Sequence, residues 1–435
     1  MTADSTVHQS AAAYATTPYN DSNPLRNVVG VISAGLALAF NQASVIAGAN
    51  ISVADIILLP LLLTLALRHA LIAPRGAVVY ILTTTALSLG IAAFVTPDKY
   101  DFIPPLAPVL RDTMKQLALG MYLIVGYSLA VTGLTTYLFR IFASGAVAVT
   151  LVGITAMAVP SSTLHTRLFY LGIRFRGLFD DPNYLGLTLV SAIAIFTRNS
   201  DLGVMRRALC CSVLSVGVIM SGSKTASIVL VAYLALRLFA WVRGNRSGSQ
   251  SSASPRLPLV LVLGAILIAS LLAVRNTLSM LFQGSYAVQR VWTTFSNFPG
   301  ALSEQGSGRQ QAWSTAVEII SENPITGIGL GSYGQVAQQL EGSGTIAHNT
   351  YLQVSAESGL IVAVVTFALL FWIILRSLRS STAVAVTSRD IALVMLAGSF
   401  SVSLNNVRLF WLAIGILLFV AASHAKSRIV RETIH

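Results

Sequence analysis

Long apolar stretches alternate with short polar breaks along almost the whole chain, and that rhythm is the first thing the residues dictate. A bilayer core takes about 20 apolar residues per helix. Candidate spans of that kind fall near 27–47, 51–70, 77–95, 116–138, 141–160, 183–198, 204–221, 224–242, 257–275, 358–376, 389–405 and 408–425. The pattern predicts an all-α polytopic membrane bundle of about twelve transmembrane helices. Four regions follow: a tail over 1–26, helices 1–9 over 27–275, a polar insert over 276–357, and helices 10–12 with a short cytoplasmic tail over 358–435. The tail is rich in Ser, Thr, Ala and Asn and lacks a basic segment leading into a short apolar core, so it reads as disordered and cytoplasmic and not as a signal peptide. Gly244 to Pro255 has the composition of a flexible linker.

The insert departs from this rhythm. Within it, Ser307 to Asn323 carries Ala312, Trp313, Ala316, Val317 and Ile320 at helical spacing, and Pro324 stops the run. This amphipathic helix is expected to lie on the membrane or cap the bundle. Gly327, Gly329, Gly331 and Gly334 follow, allowing tight turns and close backbone approach. They lack the lysine and preceding strand of a nucleotide-binding loop. Next comes His348, then Asn349, a natural helix N-cap, and a short helix over Thr350 to Ser358 that leads into a membrane helix beginning near Gly359.

Composition supports the membrane reading: 54% of residues are hydrophobic and only 10% charged, with a mean hydropathy of +0.73. The net charge of +12 would suggest nucleic acid in a soluble protein. Here most basic residues flank apolar spans, so topology and anionic lipid explain them, and nucleic acid is not an expected partner. With a cytoplasmic N-terminus, Arg68, Arg140, Arg198, Arg206, Arg207, Arg237, Arg376 and Arg389 all fall inside. A basic minority falls outside, including Arg174, Arg176, Lys224, Arg290, Arg309 and Arg408, and needs another reason. Cys210 and Cys211 are adjacent in an apolar run and suit neither a disulfide nor a metal.

Arginine chelates phosphate oxygens through two parallel hydrogen bonds, so outward arginines at a membrane surface fit a diphosphate headgroup. Arg174 and Arg176 stand in the loop that ends Asp180-Asp181-Pro182-Asn183; pairing with Asp180 or Asp181, or snorkelling to lipid, is the plainer alternative. Lys224, in Ser221-Gly222-Ser223-Lys224, either holds the same anion as a point charge or anchors at the interface. Arg309 opens the amphipathic helix with Arg290 upstream of it, and one of them could be a surface residue. His348, next to a helix N-terminus that disfavours its protonated form, is a candidate general base; the alternative is an interfacial hydrogen-bonding histidine. His165 and His348 have no carboxylate partners at metal-ligand spacing, so a metal-independent site without cofactor is expected.

Several of these segments together resemble the O-antigen ligase and polymerase superfamily of bacterial inner-membrane glycosyltransferases. They are Arg309-x-x-x-Trp313, the run Glu322-Asn323-Pro324-x-x-Gly327-x-Gly329-x-Gly331-Ser332-Tyr333, and Ala347-His348-Asn349-x-Tyr351-Leu352 followed by Glu357-x-Gly359. The Asp-Pro-Asn loop and the Ser-x-Ser-basic step are similar as well. His348, Asn349 and Gly359 look most like the ligase branch; the departures are Lys224, where arginine is commoner, and Val362, where glycine or a polar residue is usual. The resemblance implies a GT-C-like bundle with a helical periplasmic insert. It implies transfer of O-antigen from undecaprenyl diphosphate to lipid A-core, with inversion, at the periplasmic face of a Gram-negative inner membrane. On this reading His348, Arg309 and Arg174 are catalytic, and Arg290, Lys224, Arg176, Asn349 and Tyr351 bind diphosphate or glycan. The partners are then the lipid-linked donor, lipid A-core and membrane lipids, with the protein a monomer, alone or beside other O-antigen assembly proteins. An O-antigen polymerase, a protein O-oligosaccharyltransferase and a transporter of lipid or solute are the competing readings. Against a transporter stand the unmatched halves and the scarcity of mid-membrane ionisable residues.

Overall fold

A computed structural model describes residues 24–43, 51–199, 201–246, 286–296, 309–342, 344–403 and 407–433. It is a helical membrane protein. The helices are α1 (Pro24–Ala39), α2 (Val53–Leu67), α3 (Arg75–Gly90), α4 (Thr96–Tyr100), α5 (Leu106–Thr132), α6 (Thr135–Met157), α7 (Thr163–Leu168), α8 (Pro182–Arg198), α9 (Val204–Met220) and α10 (Lys224–Arg246). A π-helical turn, Ile91–Val95, joins α3 to α4. Three helices of the insert follow, α11 (Tyr286–Ser296), α12 (Arg309–Glu322) and α13 (Tyr333–Glu341). The chain closes with α14 (Thr350–Ser377), α15 (Ala383–Gly398) and α16 (Arg408–Thr433). Helices stand at every predicted span except 257–275, which lies outside the described residues with nearly all of the N-terminal tail and the linker from 247 on. Four are long and apolar enough to cross a membrane by length and composition, namely Arg75–Tyr100, Leu106–Thr132, Thr135–Met157 and Thr350–Ser377.

Water cannot drive helices together inside lipid, so close packing of small residues must do it. Along α5 and α16, a Cβ on Gly126 would sit 2.1 Å from the Leu412 carbonyl oxygen, and one on Gly415 would sit 2.0 Å from that of Leu123. The backbones therefore touch directly. The main core runs through α1, α2, α5, α6, α8, α15 and α16, with Leu36, Leu61, Tyr122, Phe142, Leu187 and Leu412 inaccessible. At its centre α8 is buried on nearly every face.

Antiparallel succession gathers one set of helix ends. The N-termini of α2, α8, α10, α14 and α16 lie with the C-termini of α9 and α15, as the bonds from Thr350 to the Ser399 carbonyl and from Arg408 to Asp55 require. At this end the two-residue strands β1 (Gln42–Ala43) and β4 (Leu178–Phe179) pair in parallel. Between them in sequence, β2 (Phe169–Tyr170) and β3 (Arg174–Phe175) form an antiparallel hairpin.

The insert caps this end. In α12 the buried positions are Ala312, Thr315, Ala316 and Ile319, whereas Trp313 and Val317 are exposed. The expected stripe is thus rotated, because small side chains let α12 come close to α14 and leave the bulkier ones outside. The glycine run fastens the cap: a Cβ on Gly329 would meet the Ala92 nitrogen at 2.4 Å, and one on Gly331 the Val109 nitrogen at 2.6 Å. Thr96 Oγ1 donates to the Ile328 carbonyl at 2.6 Å. A second small core of Ala316, Ile319, Ile328, Tyr333, Val336, Ala347 and Ala356 closes beneath.

Candidate active site

Three short motifs build the site, and each has a local reason. In Asp181-Pro182-Asn183, Asp181 N-caps α8 by accepting the Asn183 N–H at 2.8 Å, and Pro182 takes the first helical position, where no N–H is needed. Asn183 is thereby aimed outward, and its Oδ1 accepts Arg174 Nη2 at 3.0 Å. In Ser221-Gly222-Ser223-Lys224, the chain turns between α9 and α10. Ser223 Oγ accepts the Ala226 N–H at 3.2 Å, and the Ser221 carbonyl accepts Arg174 Nε at 2.9 Å. Gly222, at φ +59°, has no room for a side chain, since Ala287 of α11 lies 3.1 Å from where a Cβ would stand. That close approach delivers Arg290, also on α11, to Arg174.

The third motif is Ala347-His348-Asn349. Asn349 Oδ1 caps α14, accepting from Tyr351 N at 2.9 Å and Leu352 N at 3.2 Å. His348 precedes the cap at φ +48°, a left-handed conformation uncommon outside glycine. It is held there because the fully buried Ala347 donates its N–H to Gln353 Oε1 at 3.1 Å. Gln353 in turn donates through Nε2 to Glu357 Oε1.

Electrostatics ties these pieces together. Burial first, then the positive charges of Arg290 and Arg309, hold the Arg174 guanidinium below its ordinary value, while Asp181 and Tyr286 oppose them. For His348, burial and then the Arg309 charge push the imidazole below 6.5, against a smaller upward pull from Asp181. Arg174, Arg290, Arg309, Asp181 and His348 thus feel one another across a partly desolvated space. Arg290 Nη1 donates to the Tyr286 hydroxyl at 3.1 Å, and its buried Nε has no hydrogen-bond partner among the described residues.

The other expected residues are distributed unevenly. Lys224 is buried at the first position of α10, three residues from Ser221. Arg176 turns back to donate to the Arg167 carbonyl at 3.3 Å. Asn349 serves as the cap, and the Tyr351 hydroxyl donates to the Leu396 carbonyl at 2.9 Å with its ring between Phe367 and Phe400. His165 stacks on Phe169. Among the described residues, no three His, Cys, Asp or Glu side chains gather to hold a metal ion.

Residues 209–367 match a family model described as O-antigen ligase. Over that stretch the chain is similar to the O-antigen ligase family. Among curated proteins, none matches the chain. The O-antigen ligase stretch holds Lys224, Arg290, Arg309, His348, Asn349 and Tyr351; Arg174 and Asp181 stand outside it and reach the same place through the fold. The superfamily's function is of the O-antigen ligase or polymerase type. Sequence reasoning passed over Gln353 as a support for the loop and Asp181 as a charge acting on His348. Asp181 carried a usable signal, the Asp-Pro pair at a helix start.

Proposed function

We propose that this protein transfers O-antigen polysaccharide from undecaprenyl diphosphate to a sugar hydroxyl of lipid A-core at the periplasmic face of the inner membrane, without a metal and with inversion. The observation that supports the reading is that Arg290 and Arg309 both act on Arg174, and that Arg309 acts on the His348 imidazole as well. Three like charges in a partly desolvated space repel one another, and an anionic diphosphate relieves that repulsion while gaining from it. The leaving group needs this help because it departs with the electron pair of the bond from the anomeric carbon to phosphate oxygen. His348, neutral at pH 7, takes the proton from the acceptor hydroxyl as its oxygen forms the new bond to that carbon from the opposite face. The remaining donors are Lys224 and the unpartnered Nε of Arg290.

The test is transfer in vitro by the purified protein in chelator, with lipid-linked O-antigen and two competing acceptors, lipid A-core and a second lipid-linked glycan. Glycosylated lipopolysaccharide is the expected product, and His348→Ala is expected to lower turnover on the order of a hundredfold or more while leaving the protein folded. Elongation of the second glycan would make the protein a polymerase. Wild-type turnover by His348→Ala would remove the base assignment.

A further inference from the structure

Asp181, which acts on Arg174 and His348, also lines a cavity of about 200 Å³. Its polar wall is Gln42, Asp180, Asp181, Tyr184, Thr188 and Arg408, and its apolar wall includes Phe40 and Phe179. The roof is the β1–β4 ladder, in which Gln42 pairs with Leu178 and Ala43 with Phe179. The floor is α8. Two connections tie this cavity to the base. Asp181 lines the cavity and acts on both His348 and Arg174. The 399–403 turn holds the start of α14 through Thr350, whose N–H donates to the Ser399 carbonyl and whose Oγ1 donates to that of Val402. It also accepts the Tyr184 hydroxyl at the Ser403 carbonyl.

We infer that this cavity is a subsite for one uncharged hexose unit of the acceptor, seated so that its hydroxyl reaches His348. The inference rests on the glycosyl-transfer reading and adds where the acceptor is gripped. The volume, well below that of a pocket for a drug-sized ligand, suits a single sugar ring. Carboxylates and an amide accept and donate to ring hydroxyls, and aromatic side chains cover the apolar C–H face. The charge balance selects against a phosphorylated sugar. Arg408, the cation in the wall, is engaged by Asp55, with Nε at 2.7 Å from Oδ1, and the two carboxylates in the wall, Asp180 and Asp181, disfavour a phosphate there. None of Arg174, Arg290 and Arg309 lines the cavity, so the acceptor sugar and the donor diphosphate are held by different residues.

Thr188→Leu fills the chamber from α8, and Gln42→Ala strips a polar group from its roof. The first readout uses wild-type protein and dephosphorylated core oligosaccharide released from lipid A, with binding followed by saturation-transfer NMR in nanodiscs. Binding is expected, and each variant is expected to weaken it roughly tenfold, as loss of one or two hydrogen bonds or of the space does. The second readout is steady-state transfer by the same variants, where the KM for lipid A-core should rise roughly tenfold while the donor KM stays unchanged. If both variants fold by size-exclusion and keep wild-type sugar binding and acceptor KM, the subsite is wrong. A rise in donor KM instead would place the donor glycan there and would overturn the inference equally. Turnover of wild-type protein in either case keeps the glycosyl-transfer reading separate from this one.

Discussion

At His348 the chain holds a non-glycine residue in left-handed backbone, a conformation that costs on the order of 1–3 kcal/mol and persists only where its surroundings enforce it. The enforcement is the Ala347 N–H clasped by Gln353 on one side and the Asn349 cap on the other. What this secures is a neutral imidazole within the field of Arg309. Burial acts first and Arg309 second in keeping the His348 pKa below 6.5. A general base must be deprotonated, so kcat/KM should fall as pH drops through that value, and the acid limb should lie below pH 6.5. Arg309→Gln removes a positive neighbour, which raises the imidazole pKa and moves the limb to higher pH, in addition to weakening donor use. A pH profile of kcat/KM for both proteins tests this, and an unmoved limb would separate Arg309 from the base. The histidine itself was legible in the sequence because Asn349 marks a helix start. Its electrostatics were not, since burial and an arginine 39 positions earlier, rather than the helix end alone, set the shift.

Gly359 divides α14 into two elements. Its φ of +76° and ψ of 161° break the helix, so the stretch before it and the apolar run after it are separately oriented. The break is locked by the loop after α12. Leu360 N donates to the Pro324 carbonyl at 2.8 Å, Ile328 N to that of Ala356 at 3.0 Å, and Gly329 N to that of Glu357 at 2.9 Å. A Cβ at 359 would fall 2.0 Å from the Ile325 oxygen, which the backbone cannot accommodate without moving. Gly359→Ala should therefore cost on the order of 3 kcal/mol and abolish transfer by shifting the loop that carries His348. Gly172→Ala, also at positive φ but with nothing within 4 Å, should cost only about 1–2 kcal/mol and leave transfer intact. Thermal unfolding and turnover of the two purified variants make the comparison; equal losses would contradict the packing argument. The sequence announces this hinge through the shift from a polar segment to an apolar run at Gly359. It announces the glycine run only as permissive, because the backbone that Gly329 and Gly331 meet, around Ala92 and Val109, is more than 200 residues away in the chain.

Across the whole molecule, charge is divided between two ends. The end opposite the site gathers Arg68 at the C-terminus of α2, Arg376 at that of α14, and Arg206 and Arg207 at the start of α9. There Arg198 also bonds Asp390 through Nε at 2.7 Å and Nη2 at 3.2 Å, with the Tyr233 hydroxyl on the same carboxylate. By the positive-inside rule such a basic surplus is expected to face the cytoplasm, which on the proposed reading turns the cap with His348 towards the periplasm. Long-range pairs such as Asp55 with Arg408, 353 residues apart, are invisible to periodicity, whereas the alternation of spans that fixes which end each helix begins at is not. The orientation can be read directly. In a background lacking Cys210 and Cys211, a cysteine replacing Ile346, which is 44% exposed on the cap, should react with a membrane-impermeant maleimide added to cells whose outer membrane has been made permeable. A cysteine replacing Asp201, whose side chain is 64% exposed at the opposite end beside Arg140, should react only after the inner membrane is opened. The reverse pattern would put the imidazole in the cytoplasm, where neither the lipid-linked polymer nor its acceptor is expected, and the transfer reading would fall with it.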